Sequence, residues 1–324
     1  MVVIKTKQKV LLELLKNQMK WISGSEMAAD LDVSRETVWK NINALKHDGH
    51  VIVSKKNMGY RYENSSNLDE TVVNFYKGQV VDHVYVEEQM DSTQVTAKNF
   101  LLTNTIEKPI AFLTNHQLKG YGRRGRQFYS PESSGLYLSV VLPRPKFDVN
   151  QVGLITTGVA LVVAKVLENF LDEPNLKLKW VNDIYLNGRK VAGIITEAIT
   201  EIEYTSTQAL VIGVGINLTT DNFPEELSEK AGAITSKKAI NRNQLAAELI
   251  TTIIKNWDNY LDGSLLPEYR KRSLVIGNRV TLEVGNTAVS GVVEDIDDTG
   301  NIVIKDGNGT QRSFNNGEIQ KVNI

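Results

Sequence analysis

Apolar residues recur along this chain with two different periods, and the switch between them marks out its parts. Val10, Leu11, Leu14 and Leu15 share one helical face. Ser23-Gly24-Ser25-Glu26 has the spacing of a capping box, in which the serine caps and the glutamate reaches back. A short helix with Met27, Ala28 and Leu31 follows, and Asp32-Val33 makes a tight turn. Ser34 then caps a third helix, with Glu36 near its positive end and Val38, Ile42 and Leu45 on one face. After Gly49 the period falls to two. Val51-Ile52-Val53 and Tyr60-Arg61-Tyr62 read as strands around the basic tip Ser54-Lys55-Lys56-Asn57-Met58-Gly59. Short helices, a tight turn and a basic hairpin describe a winged helix-turn-helix. Its candidate DNA contacts are Ser34, Arg35, Thr37, Lys40 and Asn41 on the third helix, for base edges, and Lys55 and Lys56 at the tip, for phosphates. The plainer alternative is a helical protein-interaction module with a solvated polar face. Trp39 suits either packing against the wing or a contact with DNA, and His47 and His50 read as surface residues. Glu63-Asn64-Ser65-Ser66-Asn67 has linker composition, so a boundary is expected there.

The periods then alternate. Val84-Tyr85-Val86 reads as a strand leading into Asp91-Ser92-Thr93-Gln94, whose hydroxyls and amide suit a helix cap or a ligand. Ile110 to Thr114 is a second strand, followed by His116-Gln117 and the loop Gly120-Tyr121-Gly122-Arg123-Arg124-Gly125-Arg126. Leu136 to Leu142 is again strand-like. Val152, Ile155, Val159, Val163, Val166 and Phe170 mark a buried helix that Pro174 should end. Leu176, Leu178 and Trp180 alternate with Lys177 and Lys179, and Asn187-Gly188 signals a hairpin whose return strand carries Arg189, Lys190 and Val191 to Ile195. Gln208 to Asn217 is a further strand, with Gly213 and Gly215 allowing close approach. Leu245, Leu249, Ile253, Trp257 and Tyr260 mark one more core helix. From about residue 273, Arg279 to Val284, Thr287 to Ile296 and Ile302 to Ile304 alternate with turns at Gly285-Asn286 and Asp297 to Asn301, which suggests a small SH3-like barrel.

Composition narrows the chemistry. A length of 324 residues suggests two or three domains, and 41% hydrophobic with 23% charged residues is ordinary for globular protein. The most apolar stretch, Gly153 to Phe170, is interrupted by Lys165 and Glu168, so no membrane span is expected. The first residues show no signal peptide. With no cysteine there is no disulfide, thiolate nucleophile or cysteine-based zinc site, which fits a reducing cytoplasm. Residues 1–63 carry 11 Lys/Arg against 7 Asp/Glu, and residues 64–324 carry 26 against 31. A basic module on an acidic body suggests nucleic acid at one end.

The glycine-rich loop and Lys179-Trp180-Val181-Asn182-Asp183 are the segments that carry reaction chemistry. Glycines let backbone N–H groups approach an anion, and arginine supplies permanent, planar charge. Flanking apolar strands argue for a structured loop over a disordered tail, and the lysine-serine ending of a P-loop is missing. Lys190, just past a tight turn, has a fixed origin. Together these groups suit the pairing of a carboxylate with an ATP phosphate, where two anions need fixed cations and N–H donors.

With these motifs in order, the chain resembles the bifunctional biotin–protein ligase and biotin-operon repressor family over essentially its whole length. The carrying segments are Asp91-Ser92-Thr93-Gln94, Gly120 to Arg126, Lys179 to Asp183, Arg189-Lys190-Val191-Ala192-Gly193-Ile194 and Gly213-Val214-Gly215-Ile216-Asn217. The resemblance implies an α+β multidomain chain: a winged helix-turn-helix in residues 1–65, a mixed-sheet α/β ligase domain of class II synthetase type in 66–272, and an SH3-like β-barrel in 273–324. It implies that biotin and Mg·ATP give biotinyl-5′-adenylate, and that a lysine of a biotin carboxyl carrier protein then takes the biotin. Ser92, Thr93, Gln94, Gln117, Tyr121, Gly122, Arg123 and Lys190 would hold biotin. Gly120, Arg123, Arg126, Lys179, Asn182, Lys190 and Asn217 would serve ATP or its magnesium, with no dedicated metal ligands. Arg123 and Lys190 are the expected catalytic groups. Asp183 would orient the acceptor amine or take its proton, or else is a structural turn carboxylate. Two departures stand out: Tyr121 replaces an arginine of the family loop, and Val181 replaces a proline. The expected regulation is that adenylate orders the loop, the ligase domains dimerise, and paired winged helices bind operator DNA. A lipoate–protein ligase and a non-catalytic biotin sensor are the competing readings.

Overall fold

Serine caps and one apolar stripe per helix build the N-terminal unit as expected. The computed structural model describes residues 5–172, 175–200, 207–234 and 239–323. Helices α1 (Thr6–Lys16), α2 (Gly24–Asp30) and α3 (Arg35–His47) precede the hairpin β1 (His50–Lys55) and β2 (Gly59–Ser65). Ser23 Oγ accepts from the Glu26 N–H at 3.1 Å, and Ser34 Oγ from the Thr37 N–H at 3.1 Å. Val10, Leu11, Leu14, Leu15, Val38, Ile42 and Leu45 are all buried, in one core with Ile52 and Tyr62. Three of the five linker-like residues lie in β2, which runs through Ser65. His50 is a correction: it is buried, with Nδ1 3.3 Å from the Tyr62 hydroxyl and Nε2 3.6 Å from Asp69. Asp69 caps α4 (Glu70–Tyr76), which carries the chain out of the winged helix.

The central sheet is built from β3 (His83–Met90), β4 (Ile110–Gln117), β5 (Gly135–Pro143), β6 (Leu176–Lys179), β7 (Asp183–Leu186), β8 (Arg189–Thr200) and β9 (Thr207–Asn217). Its order is β3-β4-β5-β9-β8-β7-β6. Only β3 and β4 run parallel, so the sheet is mixed. One face is covered by α6 (Val152–Glu168) and α7 (Arg242–Lys255), and the other by α5 (Thr93–Thr103). Asn187 and Gly188 make the expected hairpin with φ of 51° and 77°, the pair of positive values a type I′ turn requires. Two helix ends differ from expectation. Helix α6 stops at Glu168, and Pro174 lies outside the described residues. The apolar stripe from Leu245 to Tyr260 is split at Asn256 into α7 and α8 (Trp257–Leu261), because periodicity alone does not register a local break.

After α9 (Leu266–Lys271) the chain enters a five-stranded antiparallel sheet of β10 (Arg279–Val284), β11 (Thr287–Ile296), β12 (Ile302–Lys305), β13 (Gln311–Phe314) and β14 (Glu318–Asn323). Its buried Val280, Leu282, Val293, Ile296 and Ile319 are continuous with the central core. Among the described residues no helix is long and apolar enough to cross a membrane.

Candidate active site

The site begins as bare backbone. In the β8–β9 register Gly193 pairs with Gly215 and Ile195 with Gly213. A Cβ on Gly213 would stand 2.7 Å from Gln94 Oε1, and one on Gly215 would stand 2.6 Å from the Phe128 ring. Over this floor lies a buried polar cluster. The Thr93 N–H donates to Gln117 Oε1 at 2.9 Å, and Gln117 Nε2 donates to Ser130 Oγ at 3.0 Å. Ser139 Oγ is 2.9 Å from both Thr93 Oγ1 and Gln94 Oε1, and Gln94 Nε2 donates to the Val211 carbonyl at 3.1 Å. Ser92 stands at the N-cap position of α5, yet its buried hydroxyl makes no cap bond.

The glycine-rich loop is a small closed hairpin rather than a tail. The Gly122 N–H donates to the Arg126 carbonyl at 2.8 Å, and the Phe128 N–H to the Gly120 carbonyl at 2.8 Å. Arg124 and Gly125 turn it, with φ of 58° and 71°. Gly120 admits no side chain, since a Cβ would lie 2.6 Å from Ser130 Oγ. Tyr121, half-buried, is bonded to Lys98 and Glu197. Arg124 and Arg126 both pair with Glu318 of the barrel.

The cations gather beside the floor. Lys190 Nζ is 2.6 Å from Asp183 Oδ1, and the stem of Lys190 crosses Gly193 so closely that a Cβ there would be 3.2 Å from its Cε. Lys179 Nζ donates to the Ile319 carbonyl of the barrel at 2.9 Å. Burial holds both Arg123 and Lys179 below their ordinary pKa, with neighbouring cations adding to the effect and Asp183 opposing it. Asp183 therefore lies in the field of Arg123, Lys179 and Lys190. Asn182 braces the β6–β7 turn through Nδ2 on the Ile194 carbonyl, 2.8 Å. The Trp180–Val181 peptide bond before it is cis, and Trp180 Nε1 donates to the Gly300 carbonyl at 2.9 Å. Asn217 spends its Nδ2 on the Gly232 carbonyl at 3.0 Å and leaves a buried Oδ1 unpaired.

Among the described residues no group of three His, Asp or Glu could hold a metal. The donor set here is chiefly cationic, which does not suit a resident magnesium; the ion fits as a passenger on ATP phosphates. Ser130, Ser139, Phe128, Lys98 and Glu197 join the site without any sequence signal having marked them. Only the six glycines and arginines of the loop drew attention to that stretch.

At the other end of the chain, Trp39 is 55% exposed. Arg35, Lys40, Lys55 and Lys56 are also exposed. Lys40 pairs with Glu36 at 2.8 Å, Ser34 is engaged as the cap, and Asn41 Nδ2 donates back to the Thr37 carbonyl at 2.8 Å. Lys46 Nζ donates to Ser54 Oγ at 2.8 Å, fixing helix to wing.

Each part of the chain is similar to known proteins. Residues 86–217 match the biotin/lipoate A/B protein ligase family, residues 7–61 an HTH domain, and residues 275–322 a biotin protein ligase C-terminal domain. The biotin–[acetyl-CoA-carboxylase] ligase of Mycobacterium tuberculosis is 31% identical over 209 residues, 62% of this chain and 75% of that protein. The chain belongs to the biotin–protein ligase family. The bifunctional ligase/repressor BirA of Bacillus subtilis, 27% identical over 318 residues, is matched over 95% of this chain and 97% of its own length, so the ligase family extends here through the winged helix. The structure of the Aquifex aeolicus biotin protein ligase in complex with biotin and ATP superimposes with a TM-score of 0.62 at 26% identity, over 73% of this chain and 97% of that one.

Proposed function

We propose that this chain is an ATP-dependent biotin–protein ligase and a biotin-responsive repressor, divided as 1–65, 66–272 and 273–324. The observation that carries the ligase reading is the meeting of Arg123, Lys179, Lys190 and Asp183 at the end of a glycine floor roofed by Thr93, Gln94, Gln117 and Ser139. The buried amide and hydroxyl cluster suits a neutral, hydrogen-bonding head such as the ureido ring of biotin. Its carboxylate would then lie toward Lys190 and Arg123.

In the first step a biotin carboxylate oxygen attacks the α-phosphorus of ATP, and the bond to the β-phosphate oxygen breaks. Biotinyl-5′-adenylate forms and pyrophosphate leaves. Lys190 and Arg123 offset the repulsion of the two anions and the charge that develops at phosphorus. Magnesium bound to the phosphates supplies further charge neutralisation. Lys179 and Arg126 face the polyphosphate, Gly120 gives it close backbone approach, and the free Oδ1 of Asn217 is an acceptor for an adenine or ribose donor. In the second step the neutral ε-amine of a carrier lysine attacks the acyl carbon and AMP departs. Asp183 is the nearest carboxylate to orient that amine or take its proton.

The repressor reading rests on Arg35, Thr37, Lys40, Asn41, Lys55, Lys56 and the capping Ser34 presenting one basic face. Two such faces in a homodimer would span a two-part operator. Of the sheet's edges, β6 is covered by backbone bonds between Leu178 and residues 272 and 274, at 2.9 and 2.8 Å. Strand β3 is the edge left for pairing.

The test is to incubate the protein with Mg·ATP, biotin and an apo biotin carboxyl carrier domain and weigh the carrier. A gain of one biotin is expected, with Lys190→Ala slowing it by at least about 100-fold. Biotin binding without any mass gain would leave a sensor and end the ligase reading.

A further inference from the structure

Tyr121 stands where the family loop carries arginine, and its surroundings are made for a hydroxyl. Lys98 Nζ, from α5, donates to the Tyr121 hydroxyl at 2.8 Å. That hydroxyl donates to Glu197 Oε2, from β8, at 2.9 Å. Lys98 closes the ring by pairing with Glu197 Oε1 at 3.1 Å. The ammonium also stands 5.4 Å from the centre of the tyrosine ring. Each pair of the three groups is thus bonded, and the partners are 23, 76 and 99 residues apart in sequence. A tyrosine can accept from an ammonium and donate to a carboxylate at once, whereas a guanidinium only donates and would repel Lys98. Burial works against the charge on Lys98, but its bonds to Tyr121 and Glu197 outweigh it and leave its pKa above that of an ordinary lysine.

We propose that Lys98 and Glu197 are positioning residues that tether the glycine-rich loop through the Tyr121 hydroxyl. The tether joins the loop to α5 and β8. Arg124 and Arg126 anchor it separately on Glu318, with Arg124 also donating to the Glu283 carbonyl. Breaking the tether leaves the loop to open more often. That in turn sets how fast adenylate escapes, a consequence that rests on the ligase reading; the tether itself does not.

Hydrogen exchange on the full-length protein tests it. With preformed biotinyl-5′-adenylate bound, the bonded amides of Gly122, Gly125, Arg126 and Phe128 should be protected in the wild type. Tyr121→Phe and Lys98→Met should each speed their exchange by roughly 10-fold, with the rest of the chain unchanged. The double variant should add little, because one broken member already opens the ring. Glu197→Gln keeps an acceptor and should show a smaller change. Lys98→Met should also raise the release rate of preformed biotinyl-5′-adenylate by a similar factor. Loop amides that exchange freely in the wild type, or equally in wild type and Tyr121→Phe, overturn the tether. A wild type that makes no adenylate while its loop amides respond as stated sinks the ligase reading and leaves the tether standing.

Discussion

The ligase domain has two neighbours, and it holds them by different means. Just past the winged helix the chain is held by Asn243, whose Nδ2 donates to the Asn67 carbonyl at 2.9 Å and whose Oδ1 accepts from the Asp69 N–H at 2.8 Å. The Tyr76 hydroxyl adds a bond to Gln18 at 2.6 Å, and His50 stands against Asp69. None of these groups belongs to the active site. The barrel is joined beside the proposed site: Lys179 on the Ile319 carbonyl, Arg124 and Arg126 on Glu318, and Trp180 on the Gly300 carbonyl. On the proposed reading two of these groups, Lys179 and Arg126, also serve ATP. Changes at the first joint should alter stability and leave the chemistry alone, whereas removing a cation from the second should alter the chemistry and barely move stability.

The largest expected effect is at the first joint. Asn243→Ala strands a part-buried N–H and a part-buried carbonyl and should cost about 2 kcal/mol in a denaturant melt. The folded enzyme should keep its KM for ATP within about twofold; a larger rise would mean the two joints are not separate. Next comes Lys179→Met, which keeps the apolar stem but removes the charge. Steady-state kinetics should show KM for ATP rising about 10-fold while the unfolding midpoint barely moves. A stability loss without a kinetic one would reverse the assignment. Trp180→Phe removes a single buried bond to the barrel and should cost about 1 kcal/mol. The smallest effect is one of pH. Burial disfavours charge on Asp69, but the His50 bond and the Val72 N–H outweigh it and hold its pKa below the ordinary 3.8. The stability it contributes is full above that value and is lost as pH falls through the lower, folded pKa. Acid titration of Asp69→Asn should show a shallower loss over that range than the wild type.

Local signals made much of this fold readable. Ser23 and Ser34 cap helices where they were expected to, because a cap is written within three residues of the group it satisfies. Asn187-Gly188 fixed its hairpin for the same reason. What escaped was non-local. His50 read as a surface residue because its partner Asp69 lies beyond the apparent boundary. Ser139 and Glu197 had no neighbouring pattern, since their partners Thr93 and Lys98 are 46 and 99 residues away. The loop's cations were evident from composition, whereas the tie of two of them to Glu318 required the barrel to be in place.

The glycines of β9 reach beyond this reaction. Gly213 and Gly215 form a mould whose shape comes from side chains that are missing. A single methyl on Gly213 would push on Gln94 and Ile195, at 2.7 and 2.6 Å, and so redraw the outline offered to the acid without touching any charge that serves the phosphates. The choice of cargo and the power to activate it are thus written in separate alphabets, one of absent atoms and one of cations. A descendant of this enzyme could change the first while leaving the second intact.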